Sequence, residues 1–488
     1  MSTMGLRRLD PYRLLLDERV VIYLSQKLER TLEDEALDQL RHGLSVPGVI
    51  GVCAMPDIHT GFGLPIGGVM AVRAEGGAVS PAAVGVDINC GVQLIATDIE
   101  LGAVAEAEER RRLFTRCILG VIPAGEGKRG HLRFGSDPES RRLFDRVLVD
   151  GVRALVAQGL VPEGITDRIE EGGAIPGADP AALPEEAYEI GREQLGSLGS
   201  GNHFVELQAV DEVFRPDLAE AWGIAPGYLH IMIHSGSRRL GNLTGMHYAS
   251  KIAPAVMRRE GLSADLGVLP LESPEGRRYL GAMTAAANWA FANRALMAER
   301  IREALSRELG REVTFRLVYD VAHNIAKFER HRVGGEEILT LVHRKGATRA
   351  FPPGAPGLRG VLATTGQPAI IPGSMGTRSW VVRCVPERIG ETFSSVNHGA
   401  GRVMSRTAAA GGRRRRGKGA QKGGSISQEE FLRATAGQGI IVASGTNSDL
   451  RDEAPQVYKD SEEVIRVLVG AGLAEPVVAL RPLAVLKG

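Results

Sequence analysis

The side chains best suited to chemistry in this sequence are histidines that directly follow apolar, strand-like runs. The chain has 11 histidines, and five of them stand in short polar or glycine-rich signatures: MPDIHTG (His59), GSGNHF (His203), IMIHSGSR (His234), YDVAHN (His323) and SVNHGAGR (His398). Loops at strand ends are where a rigid scaffold presents functional groups. The pattern predicts a site assembled from these loops; the alternative for each histidine alone is an ordinary surface or core position.

A carboxylate and a thiol stand together in the segment GVDINCGV. Asp87 and Cys90 lie three residues apart on a tight turn between apolar runs. An oxygen ligand and a sulfur ligand offered together suit a divalent transition metal, whereas a lone buried cysteine is often only a small hydrophobe. With His203, His234 and His323 they make five ligands, enough for two ions if the thiolate bridges them. Ligand type alone leaves Mn, Fe, Co and Zn open.

His230 and His234 form an H-x3-H pair that does not predict a shared ion. The run LHIMIH is typical of a strand, and four residues of strand separate two side chains on the same face by about 13 Å. We therefore retain His234, which opens a glycine loop, as a ligand and interpret His230 as structural.

Several glycine-rich loops could bind phosphate through backbone N–H groups, with arginine adding bidentate contacts. None of them matches a P-loop, and each taken alone could be an ordinary turn. The segments are GSLGSGNH (196–203), SGSRRLG (235–241), PGSMGTRS (372–379) and HGAGR (398–402).

A basic, glycine-rich segment over 411–424 contains four consecutive arginines, Arg413–Arg416, and two lysines, Lys418 and Lys422. Such a run attracts a nucleic-acid backbone with strong salt dependence. The alternative is a solvated loop without a partner.

The composition and the apolar patterns indicate the scaffold behind these loops. The chain has 488 residues, a formal charge of +1, 43% hydrophobic residues and 62 glycines, which excludes a disordered polyelectrolyte. We expect an α+β fold in one large domain (1–488) of packed mixed β-sheets flanked by helices. The expected helices cover 17–45, 139–159 and a span from the Ser273 cap to Leu309; strands are expected within 46–100, 227–237 and 315–322, and a surface excursion over 162–186.

The N-terminal region carries charges in every apolar stretch, so it does not have a signal-peptide core. The apolar runs are also far shorter than the ~20 residues that cross a bilayer. We therefore expect a cytoplasmic protein without a membrane partner, whose cysteines are free thiols or metal ligands.

Eight segments together resemble the RtcB-type RNA ligase family, which joins RNA 3′-phosphate ends to 5′-hydroxyl ends in tRNA splicing and RNA repair. They are MPDIHTGFGLPIGG, GVDINCGV, LGSGNHFVE, IHSGSR, DVAHNIAK, PGSMGT, NHGAGRVMSR and PLAVLKG, and they occur in the family's order. The resemblance implies an RtcB-like fold and a GTP- and Mn-dependent ligase acting on 3′-phosphate or 2′,3′-cyclic phosphate RNA. It also leaves room for an accessory activation factor.

The resemblance assigns roles to individual residues. His398 would be the nucleophile that forms a histidine–GMP intermediate, and Asp57 would orient its ring. Two Mn ions would be held by Asp87, Cys90, His203, His234 and His323, with Cys90 bridging. RNA phosphates would meet Arg238, Arg402 and Arg406. The guanine nucleotide would contact Asn202, Glu206, Asn324, Pro372, Gly373, Ser374, Met375, Ser379, Gly399, Ala400, Gly401, Tyr458 and Lys487.

Two other functions are compatible with parts of the pattern. A metal-dependent phosphoesterase would use the same Asp/Cys/His cluster without nucleotidyl transfer. A non-catalytic RNA-binding protein would need only the Arg413–Arg416 run, but binding alone does not require the cluster or His398. Departures from the family pattern, such as Arg239 and Arg378, leave the substrate open to damaged RNA or even DNA ends rather than tRNA halves.

Overall fold

The structure is a computed structural model that describes residues 5–105, 107–410, 424–445 and 449–488. The Arg413–Arg416 run therefore lies outside the described residues. In chain order the strands are β1 (Arg7–Asp10), β2 (Arg13–Asp17), β3 (Val20–Tyr23), β4 (Val49–His59), β5 (Ile66–Arg73), β6 (Ala78–Val79), β7 (Gly91–Glu100), β8 (Phe204–Val213), β9 (Tyr228–Ser235), β10 (Leu269–Pro270), β11 (Phe315–Ala322), β12 (Asn324–Val333), β13 (Glu336–Lys345), β14 (Ala347–Arg349), β15 (Ala369–Ile371), β16 (Ser379–Cys384), β17 (Ser395–Asn397), β18 (Ile441–Ser444) and β19 (Ala474–Lys487).

Helices alternate with these strands along the chain. The α-helices are α1 (Gln26–Glu29), α2 (Asp34–Gly43), α3 (Pro81–Val84), α4 (Gly102–Ala105), α5 (Glu108–Val121), α6 (Pro138–Asp150), α7 (Val152–Ala157), α8 (Glu185–Gln194), α9 (Pro216–Trp222), α10 (Arg238–His247), α11 (Ala253–Glu260), α12 (Pro274–Leu309), α13 (Val361–Thr365), α14 (Arg406–Ala410), α15 (Gln428–Ala434) and α16 (Ser461–Gly470). A π-helical turn over Tyr248–Ile252 joins α10 to α11.

Two large mixed sheets organise the molecule, which confirms the expected α+β class. The first has the strand order β1-β2-β3-β4-β5-β13-β12, and the second has the order β11-β7-β9-β8-β19-β16-β15 with β18 added beside β19. One pair in each sheet is parallel, β3 with β4 and β18 with β19. The chain passes from the second sheet to the first at His323, between β11 and β12, so residues at this crossover lie between the sheets.

The second sheet is covered on both faces. This explains why the sequences of its strands are apolar at nearly every position. In β9, Ile231 and Ile233 belong to the core beneath α12, whereas Met232 belongs to the core on the opposite face. Successive strand side chains alternate between faces, so a strand buried on both sides must be apolar at almost every position. His234 continues the Met232 side of this alternation.

The long helix α12 confirms the expected helix in both position and ends. Ser273 Oγ accepts a hydrogen bond from the Gly276 backbone N–H at 3.0 Å, and Gly310 ends the helix with φ of +65°. Ser is a favoured N-cap, and glycine takes the left-handed conformation of a C-cap without steric cost. The strand expected over 315–322 is confirmed as β11.

Three other expected elements differ from the structure. The helix over 17–45 is wrong in its first part, because the β-branched run from Val20 forms β3 and the helical turns begin only after Ser25. The rest is two helices, α1 and α2, separated by residues 30–33. The helix over 139–159 is broken into α6 and α7 at Gly151, whose φ is +54°. The surface excursion over 162–186 is wrong at Glu170, which is buried and pairs with Lys327 and Arg349.

No helix among the described residues is both long enough and apolar enough to cross a bilayer.

Candidate active site

Four of the five expected metal ligands lie at one edge of the second sheet. Cys90 directly precedes β7, His203 precedes β8, His234 stands near the end of β9, and His323 follows β11. The four strands are neighbours in the order β11-β7-β9-β8 and run antiparallel, so the start of one strand lies beside the end of the next. Side chains far apart in the sequence therefore lie next to one another along this edge of the sheet.

The donor atoms form two groups that share one sulfur. Cys90, His234 and His323 form the first group and Asp87, Cys90 and His203 the second, with the ligand atoms of each group within 4.8 Å of one another. Cys90 Sγ lies 3.2 Å from His234 Nε2 and 3.3 Å from His203 Nε2. Asp87 Oδ2 lies 2.8 Å from His203 Nε2. A thiolate common to both groups could bridge two cations.

Burial controls the protonation of these donors. Burial and then the neighbouring histidines lower the pKa of His234 and His323 well below the usual value, so both imidazoles are in the neutral, metal-binding form. Burial and then the Asp87 carboxylate raise the pKa of the Cys90 thiol well above its usual value. Burial opposes ionisation of Asp87, but His203 and its other partners outweigh it, and that pKa is lowered. A divalent cation favours the thiolate, so the set fits a metal that accepts nitrogen, sulfur and oxygen.

A buried arginine of α12 ties together the loops that carry the donors. Arg294 is fully buried, and its Nη1 donates to the backbone oxygens of Asn89 at 2.9 Å and of Ser235 at 2.8 Å. Its Nε donates to Asp320 Oδ1 at 2.9 Å. Asn89 precedes Cys90, Ser235 follows His234, and Asp320 lies in the strand that ends before His323. One side chain therefore fixes the spacing of three donor loops.

Replacing Arg294 with methionine is expected to destabilise the protein by about 3–5 kcal/mol, because Asp320 would be left as an unpaired buried carboxyl group. Metal affinity is expected to fall as well, since the donor loops lose their common anchor. The measurements are urea denaturation and metal content after gel filtration. Arg300→Met is the matched control, because Arg300 lies on the same helix in a partly exposed pair with Glu303 and should change stability by less than about 1 kcal/mol. Equal effects of the two substitutions would contradict the anchoring role.

His398 and Asp57 form a second arrangement beside the donors. His398 follows β17, Asp57 lies near the end of β4, and His398 Nδ1 lies 2.6 Å from Asp57 Oδ2. The same carboxylate oxygen accepts the backbone N–H of His398 at 3.2 Å. Asp57 is fully buried and the His398 side chain is 14% exposed. The carboxylate therefore holds Nδ1 and leaves Nε2 as the ring nitrogen available for reaction.

Two glycines and a lysine pack closely around Asp57. A Cβ at Gly67 would lie 2.8 Å from Asp57 Oδ1, and one at Gly401 would lie 2.2 Å from the Asp57 carbonyl oxygen. Both glycines have positive φ, so any other residue would clash and be strained at once. The buried Lys459 Nζ donates to the carbonyl oxygens of Pro56 at 3.2 Å and Ile58 at 2.5 Å, on either side of Asp57. The backbone that carries Asp57 is thus closely packed on both sides.

Both arrangements meet in one cavity of about 410 Å³. The rings of His323 and His398 have centroids 4.8 Å apart, so the donor groups and the His398–Asp57 pair are adjacent. Asp87, Cys90, His234 and His59 also line the cavity. The expected nucleotide contacts that line it are Asn202, Glu206, Asn324, Pro372, Gly373, Ser374, Met375, Gly399, Ala400, Gly401, Tyr458 and Lys487.

Ser379 and Arg238 lie apart from this lining. Ser379 Oγ accepts the Gly373 backbone N–H at 3.0 Å, which shapes the loop that does line the cavity. Arg238 is largely buried, and its Nη2 donates to the Gly125 carbonyl oxygen at 2.7 Å. His230, interpreted from the sequence as structural, is buried and lies outside both donor groups.

A carboxylate that the sequence analysis did not single out connects several expected binding residues. Glu453 is buried and accepts from Arg402 Nη1 at 3.0 Å, Arg406 Nε at 3.0 Å and Lys487 Nζ at 3.2 Å, and from the Tyr458 hydroxyl. Burial opposes its ionisation, but Lys487 and the two arginines outweigh this and lower its pKa to about 2. The position of Arg402 and Arg406 in the cavity thus depends on one acid far away in the sequence.

Lys345 is a second functional candidate that sequence reasoning missed. It ends β13, lines the cavity and is almost fully buried, with Nζ donating to the backbone oxygens of Phe62 and Ala82. Burial lowers its pKa to about 7. The available signal was the pair of charges in LVHRKGA, a pair that follows the mostly apolar run ILTLV of the same strand.

Glu206, in the cavity wall, gives the stability of the protein a measurable pH dependence. The carboxyl group is buried, and burial raises its pKa from 4.5 to about 8, against the hydrogen bond from Gln208 Nε2 at 2.5 Å and the charge of Lys487. A raised pKa means that the folded protein holds a proton that the unfolded chain releases above about pH 4.5. Stability is therefore lost as pH rises from about 4.5 to about 8.

We expect Glu206→Gln to remove this loss, so the variant should gain stability relative to the original chain as pH rises from 5 to 8, by a few kcal/mol at most. The measurement is the free energy of unfolding at each pH. Glu336→Gln, at an exposed strand position, is the control and should follow the original profile. Parallel profiles for all three proteins would show that Glu206 is not protonated in the fold.

In a comparison with known proteins, residues 39–488 of this chain match the family model described as "tRNA-splicing ligase RtcB". The chain belongs to the RtcB family. It is 40% identical over 476 residues to the tRNA-splicing ligase RtcB of Archaeoglobus fulgidus, covering 96% of this chain and 94% of that protein. It is 39% identical over 470 residues to the protein of that name in Thermococcus kodakarensis, with 95% and 93% covered. For the RNA-splicing ligase RtcB of Mycobacterium bovis the identity is 40% over 455 residues, covering 91% and 98%.

RtcB membership confirms the resemblance drawn from the sequence motifs. The matched span contains every proposed site residue, from Asp57 to Lys487. The RtcB motifs that are separated along the chain are also the segments that converge on the cavity.

Proposed function

We propose that this protein is a GTP- and Mn²⁺-dependent RNA ligase that joins RNA 3′-phosphate or 2′,3′-cyclic phosphate ends to 5′-hydroxyl ends through a histidine–GMP intermediate. The observation that carries the proposal is the His398–Asp57 pair beside two metal-donor groups in one cavity. A phosphoesterase that activates water on its metal ions does not require a covalent histidine nucleophile, whereas nucleotidyl transfer does. Relatives named as RNA-splicing ligases support the same reaction class.

His398 is suited to attack phosphorus because Asp57 accepts a hydrogen bond from Nδ1–H and so leaves the lone pair on Nε2. Nε2 forms a bond to the α-phosphorus of GTP, and the bond to the pyrophosphate oxygen breaks. Water opens a 2′,3′-cyclic phosphate end to the 3′-phosphate, where such an end is present. A 3′-phosphate oxygen of the RNA then bonds to the phosphorus of GMP as the P–N bond breaks and His398 regains its lone pair. The 5′-hydroxyl oxygen finally attacks the activated 3′-phosphorus and loses its proton, GMP leaves, and the phosphodiester is formed.

Two Mn²⁺ ions, held by Asp87, Cys90, His203, His234 and His323, would neutralise charge on the phosphate oxygens. The protein contributes the guanine and ribose contacts of the cavity lining. Glu206, protonated at neutral pH in the fold, can both donate to and accept from the guanine edge. Arg402 and Arg406, anchored by Glu453, bring positive charge to the cavity for the RNA phosphates.

The direct test is incubation with α-labelled GTP and Mn²⁺, followed by ligation of a 3′-phosphate RNA to a 5′-hydroxyl RNA. We expect a covalent GMP adduct and a joined product, and no adduct with labelled ATP. Release of phosphate or opening of cyclic ends without GTP, together with no joined RNA, would instead indicate a metal-dependent phosphoesterase. Parallel DNA substrates determine whether the ends must be RNA.

The basic run tests the RNA side of the proposal separately. Replacing Arg413–Arg416 with serine should weaken RNA binding. The slope of log affinity against log salt should become shallower by the amount expected for the loss of up to about four phosphate contacts. GTP adduct formation should be unchanged, because a small nucleotide does not need an extended basic segment. The measurement is fluorescence anisotropy of labelled RNA over a salt series. Loss of the adduct would contradict an RNA-only role for the run.

A further inference from the structure

A second cavity, of about 260 Å³, lies between α12, the edge strand β11 and the segment 162–168. None of its lining residues lines the first cavity. Its walls include apolar side chains from all three elements, among them Ala298, Leu317 and Ile165. The cavity volume is just below the ~300–1,000 Å³ common for small-molecule sites, which limits a ligand to about the size of one nucleotide.

An unpaired amide lies in the wall of this cavity. Gln93 of β7 is fully buried, and neither Oε1 nor Nε2 has a hydrogen-bond partner among the described residues. An amide buried without partners costs free energy, and a native structure rarely keeps both of its polar atoms unmatched without a bound group. One acceptor and one donor side by side complement the edge of a nucleobase.

Positive charge accompanies the amide. Arg168 is half-buried, its Nη1 is buried without a hydrogen-bond partner among the described residues, and the exposed Arg316 lies in the same wall. Of the acids in the lining, Glu299 is paired with Arg302 at 2.6 Å and Glu163 is exposed to solvent, as is Arg316, whose side chain lies against Gly223 at the end of α9. Arg168 is thus left to attract an anion, and arginine binds phosphate through its fork of N–H donors.

We propose that this second cavity binds a single nucleotide, with the base against Gln93 and the apolar wall and the phosphate against Arg168. The nucleotide could be a free nucleoside monophosphate or one unit of an RNA strand, because both present the same base and phosphate. The site does not depend on the proposed reaction at His398, since the two cavities are separate.

The test is isothermal titration calorimetry of the full chain with AMP, CMP, UMP and inorganic phosphate. Binding in the first cavity is distinguished from binding in the second because it should not respond to substitutions in the lining of the second. Gln93→Met removes the amide at nearly constant volume, and Arg168→Met removes the charge. Arg258→Met, at an exposed position of α11 outside both cavities, is the matched control. A short RNA added as competitor separates the two sources of the nucleotide.

We expect saturable binding of at least one mononucleotide, weakened at least ten-fold in Gln93→Met and in Arg168→Met and unchanged in Arg258→Met. Binding should persist in His398→Ala, which separates this site from failure of the ligase proposal. Release by short RNA would assign the site to an RNA unit, and retention would assign it to a free nucleotide. Binding of phosphate alone, equal binding in all variants, or no saturable binding would overturn the proposal. If Gln93→Met does not fold, Arg168→Met decides the outcome.

Discussion

Substituting His398 with alanine should abolish the covalent GMP adduct and lower RNA joining by about 10⁴-fold or more. The reason is that Nε2 is the only atom of this arrangement prepared for bond formation: Asp57 holds Nδ1 at 2.6 Å, and the ring edge faces the cavity with the metal donors. Labelled-GTP transfer followed by denaturing gel electrophoresis measures the adduct, and a ligation time course measures joining.

Two further variants make the result specific to the nucleophile. Asp57→Asn keeps a side chain of the same shape but no longer favours the Nδ1–H tautomer, so we expect a loss of about 10²–10⁴-fold with the protein still folded. His247→Ala, at a half-buried position outside the cavity, should behave as the original chain. An adduct that persists in His398→Ala would show that another residue carries GMP.

Loss of Cys90 is expected to have the second-largest effect. Its sulfur belongs to both donor groups, so Cys90→Ala removes a ligand from each group with a single substitution. We expect metal content to fall from about two ions per chain to less than one, and ligation to fall by about 10³-fold or more, since each structural metal contact is worth several kcal/mol. The measurements are inductively coupled plasma mass spectrometry after dialysis and the ligation assay.

The matched variants distinguish a bridging sulfur from a general requirement for thiols. Cys384→Ala changes another buried cysteine away from the cavity and should leave the metal content unchanged. His323→Ala disturbs only the first donor group and His203→Ala only the second, so each should retain about one ion. Retention of two ions by Cys90→Ala would contradict the shared-ligand arrangement.

Local sequence was informative where a short segment decides its own structure. Ser273, Pro274 and Gly310 determine the ends of α12 through capping and backbone preferences that act within a few residues. The same locality explains the error over 17–45. Leu28 lies in α1 and Ala36 and Leu40 lie in α2, so their helical spacing was informative. The β-branched run ahead of them pairs with β4, a contact that no local pattern contains.

The charged residues behind the site were the hardest to anticipate. Arg294 lies in a helix whose pattern predicts only a core-facing stripe. Its importance depends on the backbone carbonyl oxygens of Asn89 and Ser235 and on the Asp320 carboxylate, which come from three other segments of the chain. Glu453 matters because four side chains from separate segments converge on it. Burial, which sets the pKa of Lys345 and Glu206, is likewise a property of the assembled fold.

The sequence by itself determined the chemical types: an Asp, a Cys and three His as candidate metal donors, a further histidine in a glycine loop, and the family that these motifs resemble. It determined them because strand-end loops with polar and glycine residues are recognisable within a few positions. The resemblance also gave Cys90 a bridging position, but only the tertiary structure decided which histidines and which carboxylate lie with that sulfur in each group. That outcome follows from the strand order β11-β7-β9-β8, which places residues more than a hundred positions apart within 3.3 Å, as for Cys90 and His203.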